Sequence, residues 1–106
     1  MVTPREELAA CTGFQWDAGN AVKNWEKHGV TQTECEQIFF NRPLLAKHDW
    51  EHSFGEERFF ALGRTDANRF LFVVFTIRGD KIRVISARDM NLGERRRYHY
   101  EENTQV

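Results

Sequence analysis

The chain has 106 residues, 41% of them hydrophobic and 29% charged, a size that suits one domain and leaves little room for two. The apolar content argues against disorder, and the longest apolar run, residues 70–75, falls far short of the roughly 20 residues that a membrane-spanning helix needs. The formal charge of -1 hides a split: residues 58–97 carry ten Lys/Arg against four Asp/Glu, net +6, and the remainder five against twelve, net -7.

Acids stand near the start of the chain where a secretion signal needs bases, so a soluble, cytoplasmic protein without a membrane partner is expected. Residues 1–13 are expected to be an N-terminal extension, poorly ordered, and residues 14–106 a single domain. Phe14 and Trp16 alternate with polar residues as in a short strand. Asp17 is a good N-cap for a helix whose apolar face is Ala18, Ala21, Val22 and Trp25, with Lys27 and His28 at its negative end and Gly29 as the C-cap. Thr31 and Glu34 form a capping box for a second helix, flanked by the apolar staple of Val30 and Cys35. Cys35, Ile38 and Phe39 form its buried stripe, and Pro43 ends it.

Residues 44–48 can be a strand, and residues 49–57 read as an irregular loop. Residues 58–64, 69–78 and 82–88 then read as a three-stranded meander, the middle strand apolar on both faces. A last helix follows, capped by Asn91 and built on residues 95–100. Helices segregated from an antiparallel sheet define an α+β fold.

Phosphate-binding loops, dinucleotide fingerprints, nucleophile elbows and zinc-protease motifs are all absent. The cysteines, Cys11 and Cys35, are far apart and expected to be free thiols. His48 and His52 come nearest to metal-ligand spacing, but no third ligand of obvious type accompanies them, so neither metal nor cofactor is expected.

What remains is arginine on a sheet: nine of the ten bases in the basic segment are Arg, the better fork for phosphate. Thr76 and Arg78 share one strand face, as do Ser86 and Arg88. A simple meander is expected to leave Arg88 at the end away from Arg64, with the register unsettled. Such a sheet suits metal-free RNA cleavage, in which cations stabilise the pentacovalent phosphate while a base and an acid handle the 2′- and 5′-oxygens. Candidate acids and bases are His48, His52, Glu56, Glu57, Tyr98 and His99, and candidate RNA-binding bases are Lys81, Arg83, Arg95, Arg96 and Arg97. A non-catalytic module whose basic face binds nucleic acid or an acidic partner fits the same composition.

Phe14-x-Trp16-Asp17, Asn24-x-x-Lys27-His28-Gly29-Val30 and Phe39-Phe40-x-x-Pro43 resemble the N-terminal half of the BrnT toxin family. So do residues 55–59 with Leu62-Gly63-Arg64, then Val74-Phe75-Thr76-x-Arg78-Gly79-Asp80, Ile82-Arg83-x-Ile85-Ser86-Ala87-Arg88 and Glu94-Arg95-x-x-Tyr98, over about residues 14–101 in all. The resemblance implies a RelE-like fold, N-terminal helices packed on an antiparallel meander with a C-terminal helix. It also implies a ribonuclease toxin of a type II toxin–antitoxin system that inhibits translation. A BrnA-type ribbon-helix-helix antitoxin would neutralise it in a heterotetramer containing a toxin homodimer. Arg64, Thr76, Arg78 and Arg88 are the catalytic positions carried over from it. A degenerate toxin kept only as a co-repressor subunit remains an alternative.

Overall fold

The computed structural model describes residues 2–104. Helix α1 (Pro4–Ala9) leads into β1 (Gly13–Gln15), α2 (Ala18–His28), α3 (Gln32–Gln37) and a 3-10 turn (Ile38–Phe40). Then come β2 (Leu45–His48), a second 3-10 turn (Trp50–His52), β3 (Arg58–Arg64), β4 (Phe70–Arg78), β5 (Lys81–Asp89) and α4 (Leu92–Thr104). The strands form one mixed sheet in the order β1-β5-β4-β3-β2, with β1 parallel to β5 and every other pair antiparallel. This is the α+β arrangement expected from the sequence, enlarged by an edge strand on each side of the meander.

The local signals act as their chemistry dictates. Asp17 Oδ1 accepts from the amides of Gly19 and Asn20 at 2.8 and 3.3 Å, and Gly29 closes α2 in the left-handed region at φ 61°. Thr31 and Glu34 exchange the reciprocal bonds of a capping box at 3.1 and 2.9 Å. Asn91 and Glu94 repeat the device at the start of α4, at 2.8 and 2.9 Å. Gly79 takes φ 61°, which the two-residue hairpin between β4 and β5 requires of its first central residue.

The inner face of the sheet carries the main core. Phe59, Ala61, Leu71, Val73, Phe75, Ile82, Val84 and Ala87 are buried there with Val30, Cys35, Ile38 and Phe39. Phe39 meets Phe75 edge to face at 5.2 Å, and Phe59 stacks on Phe75 at 5.4 Å. Burial pushes the Cys35 thiol up to about 12, so it is a packing group and not a nucleophile. The outer face is covered only at one end, where Tyr98 of α4 is buried with Leu62 and Met90.

Two expectations are revised. Residues 2–13 are joined to the domain: Leu8 and Cys11 pack on the core, and the Thr12 amide donates to the Asp80 carbonyl at 2.8 Å. The expected apolar face of α2 points to solvent, with Val22 and Trp25 more than half exposed, while Asn24 is buried. The reason lies in the strand beside it. β1 pairs with β5 only as far as Arg83, so further along the edge amides lack strand partners, and Asn24 Oδ1 accepts from Ala87 N at 3.2 Å. A helix lying along an unpaired strand edge presents a polar residue to it.

Arg69 ties the helices to the meander. Its guanidinium donates to both Asp89 oxygens at 2.7 and 3.0 Å, to Glu34 at 3.2 Å, and to the carbonyls of His28 and Gly29 at 3.1 and 2.8 Å. It therefore closes the C-terminus of α2, the N-terminus of α3 and the end of β5 together. Its hydrogen bonds hold the Asp89 carboxyl below the ordinary 3.8. Burial raises Glu34, but the Thr31 amide and Arg69 outweigh it and leave the group below 4.5. Arg69→Ala is expected to cost about 2–3 kcal/mol in urea denaturation, because it strips a partly buried cation from two acids and two helix-end carbonyls. Both carboxyls are depressed by folding, so their stabilisation is complete above the unfolded values of 3.8 and 4.5 and is lost as pH falls through the lower folded values. The acid limb of the stability curve is therefore expected to be shallower in Arg69→Ala than in the parent chain.

Candidate nucleic-acid interface

Strand register sorts the basic segment onto the two faces. Arg58, Thr76 and Arg83 are neighbours across β3, β4 and β5; Phe60, Val74 and Ser86 form the next row, and Leu62, Phe72 and Arg88 the next. β2 adds Lys47 beside Phe60 and Leu45 beside Leu62. All of these belong to the outer face. Arg83 is odd-numbered and Ser86 and Arg88 are even, so a regular strand would separate them. A bulge between Val74 and Phe75 leaves Ile85 unpaired and returns Ser86 and Arg88 to the face of Arg83.

Where α4 meets this face there is a cavity of about 280 Å³ lined by Phe60, Phe72, Lys47, Glu94 and Arg97 among others. Phe60 and Phe72 stack at 5.6 Å as an aromatic floor. Arg88 lies over the Phe72 ring with Cζ 4.2 Å from its centroid, and its fork is held by Glu94 at 2.8 and 3.0 Å. Burial raises the Glu94 carboxyl, but Arg88 and the Asn91 amide prevail and leave it below its ordinary 4.5. An aromatic floor with cations at its rim is the combination that stacks a nucleobase and holds the adjoining phosphates. A larger cavity of about 560 Å³ lies on the inner side under α1, lined mostly by apolar groups with Arg5 and Arg42. It holds no acid or histidine and lies away from the outer-face arginines.

The four carried-over positions do not converge. Arg88 does not line the cavity but touches two residues that do, Phe72 and Glu94. Arg64 is at the same end, contrary to the expectation that a meander separates them: β3 and β5 both run antiparallel to β4, so their C-terminal ends lie together. The Arg64 guanidinium donates to the Arg42 carbonyl and to Asn68, each at 3.1 Å. Thr76 and Arg78 stand four and six residues from Phe72 along β4, up to roughly 20 Å away. Thr76 is buried, its hydroxyl donating to the Glu57 carbonyl at 2.8 Å, and Arg78 is exposed and paired with Glu56 at 2.9 Å.

The acid and base candidates are scattered as well. His48 and Glu57 meet at 3.2 Å, with His48 opposite Phe59 on the inner register. His52 pairs with Asp49 in the exposed 3-10 turn, and His99 pairs with Glu102 on α4. Tyr98 is fully buried and donates to the Pro43 carbonyl at 2.7 Å, and burial pushes its hydroxyl up to about 12. Of the RNA-binding candidates, Arg97 reaches the cavity, Arg95 lies over Phe70, Arg83 pairs with Asp17, Lys81 donates to Thr12, and Arg96 is exposed on α4. Phe60, Phe72, Lys47 and Glu94 were not foreseen. The pairing of Phe60 with Val74 was the missing information, since both faces of β4 are apolar in sequence.

The profile of the BrnT family, ribonuclease toxins of type II toxin–antitoxin systems, matches residues 16–94. The chain belongs to this family. Its fold is similar to the crystal structure of the Brucella abortus ribonuclease toxin BrnT, at 23% identity over 76% of this chain and 97% of that one, with a TM-score of 0.55. No curated protein sequence matches it. The BrnT match takes in Lys47, Phe60, Phe72, Arg88 and Glu94, and leaves α1 and Arg97 outside. Among the described residues no helix is long and apolar enough to cross a membrane.

Tyr98→Phe is expected to lower stability by roughly 1 kcal/mol through the lost bond to the Pro43 carbonyl. The folded variant should keep the RNA affinity of the parent in a fluorescence-anisotropy titration, because Tyr98 supports α4 and does not face the cavity.

Proposed function

We propose that this BrnT-family chain is itself a metal-independent endoribonuclease that inhibits translation in the cytoplasm. RNA lies along the outer face of its sheet, with one base against Phe60 and Phe72. The cavity beneath α4 carries this reading, because its lining holds an aromatic floor and a carboxylate, with an oriented arginine packed against both. Lys47 and Arg97 hold flanking phosphates, and Arg78 and Arg83 continue the track toward the far end of the strands. Arg88 stabilises the phosphate charge that builds as the 2′-oxygen attacks phosphorus and the bond to the 5′-oxygen breaks. Glu94 accepts the 2′-hydroxyl proton, the leaving oxygen is protonated from solvent, and the products are a 2′,3′-cyclic phosphate and a 5′-hydroxyl. Arg64 and Thr76, engaged with backbone carbonyls, hold the scaffold.

A type II system pairs its toxin with an antitoxin, and we assign that role to a BrnA-type ribbon-helix-helix protein in a heterotetramer with two toxin chains. An acidic segment of it would mask the basic face. The rival reading, a binding module that serves only as co-repressor, draws on one observation: none of the four histidines lines the cavity.

Induced expression of the chain alone is expected to arrest growth, and co-expression of the neighbouring antitoxin gene to relieve it. The purified chain should cleave RNA in EDTA, and Arg88→Ala should lower cleavage at least 100-fold while retaining the fold by circular dichroism. Because Glu94 titrates below its ordinary value, the rate should be flat from about pH 6 to 8, where a histidine base would give an inflection near 6.5. Salt-dependent RNA binding without cleavage products would overturn the nuclease reading in favour of a non-catalytic binding module.

A further inference from the structure

On the inner side of the sheet, away from the cavity, three side chains from distant parts of the chain converge. Glu7 comes from α1, His48 from the end of β2, and Glu57 from the residue before β3. One ligand atom from each lies within 4.8 Å of the other two. His48 Nε2 is 3.2 Å from Glu57 Oε2 and 3.7 Å from Glu7 Oε2. The imidazole is held flat against Trp50, with ring centroids 4.1 Å apart and planes 10° from parallel, and it leans on Phe59 at 4.7 Å. Only 12% of the His48 side chain is exposed. Its orientation is therefore set by packing.

Hydrogen bonding does not complete this arrangement. Glu7 Oε2 is buried and has no hydrogen-bond donor. A protonated His48 would not cure that: Nε2 has one proton, Glu57 is the nearer acceptor, and 3.7 Å is beyond hydrogen-bond reach. The described residues place no Lys or Arg in an ion pair with Glu7 or Glu57. Two carboxylates and an imidazole thus converge on one point, and an oxygen buried without a partner is costly there.

A divalent cation meets all of these conditions. With bonds of roughly 2.0–2.1 Å, tetrahedral ligands stand about 3.3–3.4 Å apart, close to the two separations that involve His48. We propose that Glu7, His48 and Glu57 form a site for Zn²⁺ or a similar borderline transition metal, with water at the fourth position. An imidazole ligand selects this class over Mg²⁺ and Ca²⁺, which favour sites built of oxygen. The ion would fasten α1 to the sheet. Its place on the inner side keeps it out of RNA cleavage, so the site does not depend on the function proposed above. Glu7 lies outside residues 16–94, the segment that matches the family, so the site is assigned to this chain alone.

The test is calorimetric titration of Zn²⁺ into the full-length, untagged chain after chelator treatment, with Mg²⁺ in a parallel series. One Zn²⁺ per chain is expected, together with a rise in melting temperature and a change in Trp50 emission that Trp50→Phe abolishes. Glu7→Gln, which keeps the shape of the side chain, and His48→Gln should each weaken Zn²⁺ binding at least tenfold. His52→Ala should bind like the parent. Parental affinity in Glu7→Gln, loss of binding in His52→Ala, or equal binding of Mg²⁺ and Zn²⁺ would each overturn the assignment. If His48→Gln fails to fold, Glu7→Gln alone decides.

Discussion

The bulge between β4 and β5 is the constraint on which the two faces of this molecule depend. A β-strand assigns faces by parity, and one inserted residue reverses the assignment for everything after it. With Ile85 left unpaired, Val84 and Ala87 both reach the core although their numbers differ in parity. The same step carries Arg88 to the outer face, over Phe72 and beside Glu94. Without it the chain would have to bury Arg88 or expose Ala87, and the aromatic floor would lose its cation.

The ten bases of the positive segment divide between architecture and surface. Arg69 is spent on joining two helix ends to the meander, and Arg64 on backbone and turn groups. Arg58, Arg83, Arg88 and Arg97 belong to the outer face or its rim. A charge count of a segment therefore overstates the field that it presents. An arginine with several donors is as useful for gathering loose carbonyls as for gripping phosphate.

Most of the fold was legible because its signals are local. The caps at Asp17, Thr31 and Asn91 and the strands of the meander each report on a few neighbouring residues, and each forms as read. What stayed hidden depends on distant partners. The burial of Asn24 follows from where β1 stops pairing with β5, and the cavity residues Phe60 and Phe72 become neighbours only through register. The grouping of Arg64 with Arg88 required following strand direction through two reversals. The family resemblance pointed to arginines on three strands of the sheet, but it carried no information on which of them face a concavity. The docking of α1 also escaped notice, since a short polar helix reveals little until Leu8 and Cys11 find the core.

Each arginine of the outer face with a carboxylate partner brings its own anion: Asp17 for Arg83, Glu56 for Arg78 and Glu94 for Arg88. These carboxylates act as tethered counterions. A polyanion that docks here must displace groups that remain attached to the protein, so each new phosphate contact replaces an existing ion pair while the cations condensed on the polyanion are still released. The net gain in charge pairing is correspondingly small. A docking polyanion then gains most from stacking and shape, and ten bases in a 40-residue segment do not by themselves make a strong electrostatic trap.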